Sequence, residues 1–227
     1  MEESDAKRAL GRHAAAYVRP GMVVGIGSGS TVRWLIEALG NRVAEEGLEF
    51  LGVAASEASL KLARQRGLKM ATLSRVERLD LAIDGADEVD PHANLIKGGG
   101  GALVRERLVA LAASKFLVIV DGSKLVPVLG SFPLPIEILR FGFKQTLKRI
   151  RALGVEPKLR MNETRPFVSN NGNYIVDAGF GQIANPAGLY QKVRMIPGVV
   201  DCGIFSGFHP TVLVAERGGV SERSDLY

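Results

Sequence analysis

The sequence predicts an α/β protein: a doubly wound, mostly parallel sheet of Rossmann-like type, with a smaller α+β domain inserted into it. Three observations carry that expectation. Short apolar runs alternate with segments of helical periodicity between residues 21 and 120, as expected of strands buried on both faces between crossover helices. Three of those runs end in a Gly or Asp-Gly turn, and strand ends of this kind converge on one crevice in an open parallel sheet. Beyond residue 130 the alternation gives way to a proline-punctuated joint and a hairpin signal.

Residues 22–26 form the first apolar run, followed by the loop Gly27-Ser28-Gly29-Ser30-Thr31. Val32, Leu35, Ile36 and Leu39 then recur at helical spacing, closed by Gly40-Asn41. Residues 48–53 predict the next strand and 57–65 the next helix. Runs 81–83 and 116–120 predict two further buried strands, with a helix over 102–113 between them. The joint spans 131–135. After it come a strand at 136–139, a helix at 142–153, and a hairpin of 167–169 with 174–176 around Asn170-Asn171-Gly172-Asn173. Asn185-Pro186 is a helix start, with Asn as cap and Pro at the first helical position. A returning strand is expected at 198–205, and 211–215 is expected to rejoin the parent sheet. The boundaries are therefore 1–130 plus 204–227 for the α/β catalytic domain and 131–203 for an inserted, ferredoxin-like α+β domain. No internal repeat is visible.

The chain has 227 residues, 46% hydrophobic and 23% charged, which excludes disordered and collagen-like classes. The single cysteine, Cys202, rules out an internal disulfide framework and suits a reducing compartment. A charged N-terminus without an apolar segment after it argues against a signal peptide. No apolar stretch approaches the ~18–20 residues of a membrane helix, so a soluble, cytoplasmic protein is expected. The net charge of +5 invites an anionic partner. Residues 131–203, however, hold ten Lys/Arg against five Asp/Glu, while the rest holds nineteen of each. The excess belongs to the inserted domain and does not point to nucleic acid.

Four motifs can carry chemistry. The loop 27–31 places glycines and hydroxyls between a strand and a helix N-terminus, where amides and the helix dipole favour an anion. It is either a phosphate cradle or a tight turn with a Ser/Thr cap. A dinucleotide fingerprint would need Gly at Ser30, and a P-loop would need Gly-Lys before the Ser/Thr. Asp84-Gly85-Ala86-Asp87-Glu88-Val89-Asp90 leaves the apolar run 81–83 with four acids. Asp84 and Asp87 are placed to accept from substrate hydroxyls or to close a solvated turn; for Glu88 and Asp90 the solvated turn is the expectation. The spacing is not that of a calcium loop.

Lys97-Gly98-Gly99-Gly100-Gly101 leads into the helix that carries Glu106. An ordered glycine run implies unusual dihedrals or close ligand approach. On the helical wheel Leu103, Val104, Leu108 and Leu111 form the expected buried stripe, with Glu106 off it and near the loop. Glu106 is either a reactive group or an acid favoured early in a helix by the dipole. Lys97 is placed to neutralise Asp84 or Asp87, or to stabilise a developing oxyanion. Asp121-Gly122-Ser123-Lys124 ends the strongest apolar strand, so Lys124 can reach the same crevice. His13, His92 and His209 lack metal-ligand spacing. No nucleophile elbow is present.

Taken in order, these four motifs resemble type A ribose-5-phosphate isomerases over essentially the whole chain. The family pattern often has Thr where Ser28 stands, which keeps the hydroxyl. The resemblance implies interconversion of ribose 5-phosphate and ribulose 5-phosphate in the non-oxidative pentose phosphate pathway, without metal or organic cofactor. It implies Glu106 as general base through a cis-enediolate, with Lys97 and the amides of Gly98, Gly99 and Gly100 stabilising the enediolate oxygens. Asp84, Gly85, Ala86 and Asp87 would bind hydroxyls, the two acids helping to open the furanose ring. Ser28, Gly29, Ser30, Thr31 and Lys124 would hold the phosphate, with Lys7 a further candidate. A homodimer or homotetramer is implied, with the inserted domain the natural place for contacts. Two competing classes are weaker. A sugar-phosphate sensor would need an added DNA-reading module, for which the chain has no room. A nicotinamide dehydrogenase lacks its third glycine.

Overall fold

The structure, a computed structural model, describes residues 3–216 and 218–223. A seven-stranded sheet runs in the order Gly219–Arg223, Thr211–Glu216, Phe116–Asp121, Leu81–Asp84, Val23–Ile26, Leu51–Ala54, Met70–Ala71. Every neighbouring pair is parallel except the terminal hairpin formed by Gly219–Arg223. Chain order reverses between Val23–Ile26 and Leu81–Asp84, and ligands of open α/β sheets bind beyond the strand C-termini at such a switch point.

Helices α1 (Glu3–Ala15) and α2 (Ser30–Glu46) pack on one face, together with α3 (Glu57–Gln65) through Ala63; α4 (Leu103–Leu111) covers the other. The strand Phe116–Asp121 shows why both faces must be covered. Leu117 and Ile119 enter the layer with α1 and α2, whereas Phe116, Val118 and Val120 enter the layer with α4, following the two-residue alternation of a strand.

Between Phe116–Asp121 and Thr211–Glu216 the chain builds a second sheet of four antiparallel strands, ordered Val199–Cys202, Leu134–Ile138, Tyr174–Ala178, Pro157–Leu159. With α5 (Phe143–Arg151) and α6 (Pro186–Arg194) the succession is βαββαβ. Leu134, Ile136, Ile150, Val176 and Val193 close a separate apolar core beneath it.

Three sequence expectations need correction. The strand Pro157–Leu159 has too few apolar residues to stand out, and it supplies a sheet partner that the expected hairpin did not include. Residues 167–169 contribute only the isolated bridge Val168 to Tyr174, although the turn closes as expected through the Gly172 N–H to the Ser169 carbonyl. The expected strand 198–205 is two strands in two sheets. Gly203 lies between them, where a Cβ would sit 2.1 Å from the Lys97 carbonyl oxygen, and Ile204–Phe205 turns away to pair with Leu95–Ile96.

The wheel drawn for α4 is also wrong. Leu108 is 51% and Leu111 65% exposed, whereas Leu103, Glu106, Arg107 and Ala110 face inward. These inward positions follow i, i+3, i+4, i+7, a helical face as good as the apolar one. Its two charged members have partners inside. Arg107 donates to Asp201 at 2.6 Å and to the carbonyls of Cys202 and Ile204, and lies 4.1 Å from the centre of the Phe205 ring.

Candidate active site

Two loops meet at the switch point because Gly27 has no side chain. A Cβ there would lie 2.0 Å from the Asp84 carboxylate. Asp84 Oδ1 accepts from the N–H groups of Ser28, at 3.0 Å, and Gly85, at 2.7 Å. Its other oxygen lies 2.9 Å from Lys97 Nζ. The Ser28 hydroxyl continues a chain away from the pocket: it donates to Ser56, Ser56 to Ser59, and Ser59 to the Gly27 carbonyl at 2.7 Å. Helix α2 starts at Ser30 with Gly29 as its cap and no side-chain capping bond, so the amides of its first turn are aimed beyond the helix end.

Lys97 is 2% and Glu106 4% exposed. The ammonium donates to the Gly85 carbonyl at 2.5 Å and stands 3.4 Å from Glu106 Oε2. That oxygen has no hydrogen-bond partner among the described residues. Burial is the main cause that pushes the Glu106 carboxyl from the ordinary 4.5 to about 8; Lys97 opposes it, and Asp84 and Asp87 add to it. The Lys97 ammonium is held above its usual value, because Asp84 and Glu106 outweigh the desolvation that would lower it. Asp87 is raised by burial, against the opposing effect of the Gly99 N–H, which donates to it at 2.8 Å, and of nearby cations.

These groups line one cleft of about 720 Å³. Ser28, Gly29, Ser30, Thr31, Gly85, Ala86, Asp87, Lys97, Gly98, Gly99, Gly100, Glu106 and Lys124 all reach it, and so does Lys7 from α1. Asp84 alone among the candidates stands behind the wall, with its oxygens engaged by the two loops and Lys97. Glu88 and Asp90 are not solvated turn acids but buried ones. Glu88 accepts from the N–H groups of Gly130 and Phe132 at the joint, and Asp90 from those of His92 and Asn94. The sequence reading missed Ser56 and Ser59, for which the only local signal is a Ser preceding a helix. It also missed Glu216, brought to the cleft by a strand whose parallel neighbour lies 94 residues earlier.

A doubly wound sheet whose cleft joins a Ser/Thr loop at an uncapped helix N-terminus to a buried carboxylate–ammonium pair defines a class: an α/β enzyme with a polar cleft for a small substrate. Comparison with known proteins narrows that class. The family model for ribose 5-phosphate isomerase A (phosphoriboisomerase A) matches residues 51–219. The chain is 46% identical over 217 residues to ribose-5-phosphate isomerase A of Bacillus mycoides, covering 95% of this chain and 98% of the relative. It is also 46% identical over 223 residues to that of Thermomicrobium roseum, covering 97% and 94%. The solved ribose 5-phosphate isomerase A of Methanocaldococcus jannaschii superposes with a TM-score of 0.91 at 38% identity, over 96% of this chain and 98% of that one. A D-ribose-5-phosphate isomerase in complex with phospho-erythronic acid gives 0.94 at 34% identity, over 98% and 99%. The chain belongs to the ribose 5-phosphate isomerase A family.

Proposed function

We infer that the protein interconverts D-ribose 5-phosphate and D-ribulose 5-phosphate, the aldose–ketose step of the non-oxidative pentose phosphate pathway. The observation that carries this reading is the buried Lys97–Glu106 pair beside the glycine loop, with one Glu106 oxygen lacking a hydrogen-bond partner at the cleft wall. The phosphate is held by the amides of Gly29, Ser30 and Thr31 and the hydroxyls of Ser30 and Thr31 at the α2 N-terminus, and by Lys124, with Lys7 from α1 beside them; Ser28, whose N–H is held by Asp84 and whose hydroxyl donates to Ser56, shapes the loop. Binding energy from this remote group orients the reacting carbons.

Glu106 removes the C2 proton of the open-chain aldose, and the charge moves onto O1 as the C1=C2 double bond forms. The same carboxyl returns a proton to C1 while a hydroxyl proton passes from O2 to O1, leaving the ketone at C2. A positioned base contributes ~10²–10⁴-fold. Lys97 and the amides of Gly98 and Gly100 stabilise the enediolate oxygens, each such donor being worth ~10²–10³ in rate, while the Gly99 amide holds Asp87. Asp87 binds sugar hydroxyls and assists ring opening, with Gly85 and Ala86 shaping its loop. Asp84, already engaged, fixes Lys97 and the Ser28 amide.

Residues 131–203 are proposed as the inserted ferredoxin-like unit, with 1–130 and 204–227 as the catalytic one. Association with a second copy is assigned to the inserted unit, where Phe141 is 95% and Met195 82% exposed. A cytoplasmic location suits Cys202, whose thiol is buried and pushed up to about 12, chiefly by that burial. EDTA-treated protein incubated with ribose 5-phosphate in D₂O tests the reading by proton NMR. Ribulose 5-phosphate carrying deuterium at C1 is expected, and an unchanged aldose would overturn the assignment.

A further inference from the structure

Arg160 lies outside the cleft lining and outside every motif picked out from the sequence. Its backbone is fixed at both ends: its N–H donates to the Ile175 carbonyl at 2.8 Å, and its carbonyl accepts from Phe167 at 2.9 Å. From this edge of the second sheet the side chain crosses to the glycine loop. Nε donates to Asp177 Oδ2 at 2.9 Å and Nη2 donates to Oδ1. Nη1 donates to the carbonyls of Gly98, at 3.1 Å, and Gly99, at 2.9 Å. The fork of the guanidinium is thus filled by one carboxylate on one side and two consecutive peptide oxygens on the other.

Those two oxygens decide where two amides point. A trans peptide is planar, with its C=O and N–H on opposite sides, and no peptide bond here is cis. A Gly98 carbonyl drawn to Arg160 turns the Gly99 N–H the other way, where it meets Asp87 at 2.8 Å. A Gly99 carbonyl drawn to the same group turns the Gly100 N–H away from it as well, and Gly100 lines the cleft. Glycines hold no such orientation unaided, since they have the widest conformational freedom of any residue.

We propose that Arg160 is a positioning residue for the isomerisation: from the inserted unit it grips the Gly98 and Gly99 carbonyls and so sets the Gly99 amide on Asp87 and aims the Gly100 amide into the cleft, with Asp177 holding the guanidinium in place, a role that rests on the oxyanion function proposed for the loop. The cation also polarises both peptides, which strengthens the N–H donors on their far side. A lysine cannot reproduce the fork.

The test uses the full chain with Arg160→Met, Arg160→Lys and Asp177→Asn, reading kcat, KM for ribose 5-phosphate, inhibition by inorganic phosphate, affinity for phospho-erythronic acid, and melting temperature. Arg160→Met is expected to lower kcat by roughly 10–100-fold with KM changed less than about threefold, because the lost donors matter most as charge develops. Inhibition by phosphate should be unchanged and phospho-erythronic acid should bind more weakly, since its carboxylate carries charge where the enediolate would. Arg160→Lys and Asp177→Asn should fall between Arg160→Met and the unmodified protein. A folded Arg160→Met protein with kcat within twofold of the unmodified protein, or with its defect confined to KM, overturns the proposal. If the Met variant does not fold, the Lys and Asn variants decide by the same two criteria. Loss of turnover in Glu106→Gln alongside full turnover in Arg160→Met would remove this inference alone, whereas turnover retained in Glu106→Gln would remove the underlying reading.

Discussion

Glu106 shows how environment moves the titration of an ordinary carboxyl toward neutral pH. In water its carboxyl would be ionised at pH 7 and weakly basic. Buried, with an oxygen that lacks a donor and Asp84 and Asp87 nearby, it titrates at about 8, close to the pH at which a base best combines availability with strength. The sign follows directly. In the proposed role the ionised form abstracts the proton, so kcat/KM should be high above pH 8 and fall about tenfold per unit below it, until the substrate phosphate also titrates near pH ~6. A profile flat between pH 9 and 6.5 would contradict the assignment. Lys97 is the companion case. Its ammonium stays charged because three oxygens face it within 3.4 Å, and a buried cation without such partners would lose its proton.

At the scale of elements, α4 illustrates what a sequence shows and what it hides. The existence of the helix was legible from its apolar spacing, but its orientation was not. Two faces competed, one carrying Leu103, Val104, Leu108 and Leu111, the other Leu103, Glu106, Arg107 and Ala110. Apolar area favours the first; the second wins because Lys97, Asp201 and two peptide carbonyls satisfy its charges. That information lies roughly 10 to 95 residues away in the chain. The consequence is measurable by urea denaturation. Leu103→Ala should cost ~2–5 kcal/mol, whereas Leu108→Gln should stay within ~0.5 kcal/mol. Equal losses would mean that the helix is turned the other way. The glycine run, the Asp-Gly turns and the Ser/Thr loop were legible as sites because each breaks a local rule of its element. Arg160 breaks none, so nothing nearby in the sequence marks it.

At the scale of the whole molecule, the two sheets are tied together by side chains that cross between them. Arg107 reaches from α4 to Asp201 and the carbonyls beyond it, Arg160 reaches back from the second sheet to the glycine loop, and Glu88 holds the joint at Gly130 and Phe132. The strand alternation made the parent sheet legible to within a residue or two at most strands. The second sheet was harder, because its edge strand Pro157–Leu159 is short and only its first residue is buried. None of the basic residues of 131–203 lines the cleft, in keeping with the proposed capture of substrate by local amides, hydroxyls and lysines. Exposed Phe141 and Met195 on that unit carry the proposed contact between copies. Light scattering should therefore give a multiple of the chain mass that falls to one chain for Phe141→Glu; a monomer before substitution would dispose of the assembly.

The central claim is that one carboxylate, Glu106, carries the proton between C2 and C1. Its most direct test is the D₂O experiment repeated with Glu106→Gln, alongside a titration of the variant with phospho-erythronic acid. The variant is expected still to bind the acid and to form no ketose above background. Turnover within tenfold of the unmodified protein, with deuterium still entering C1, would contradict it.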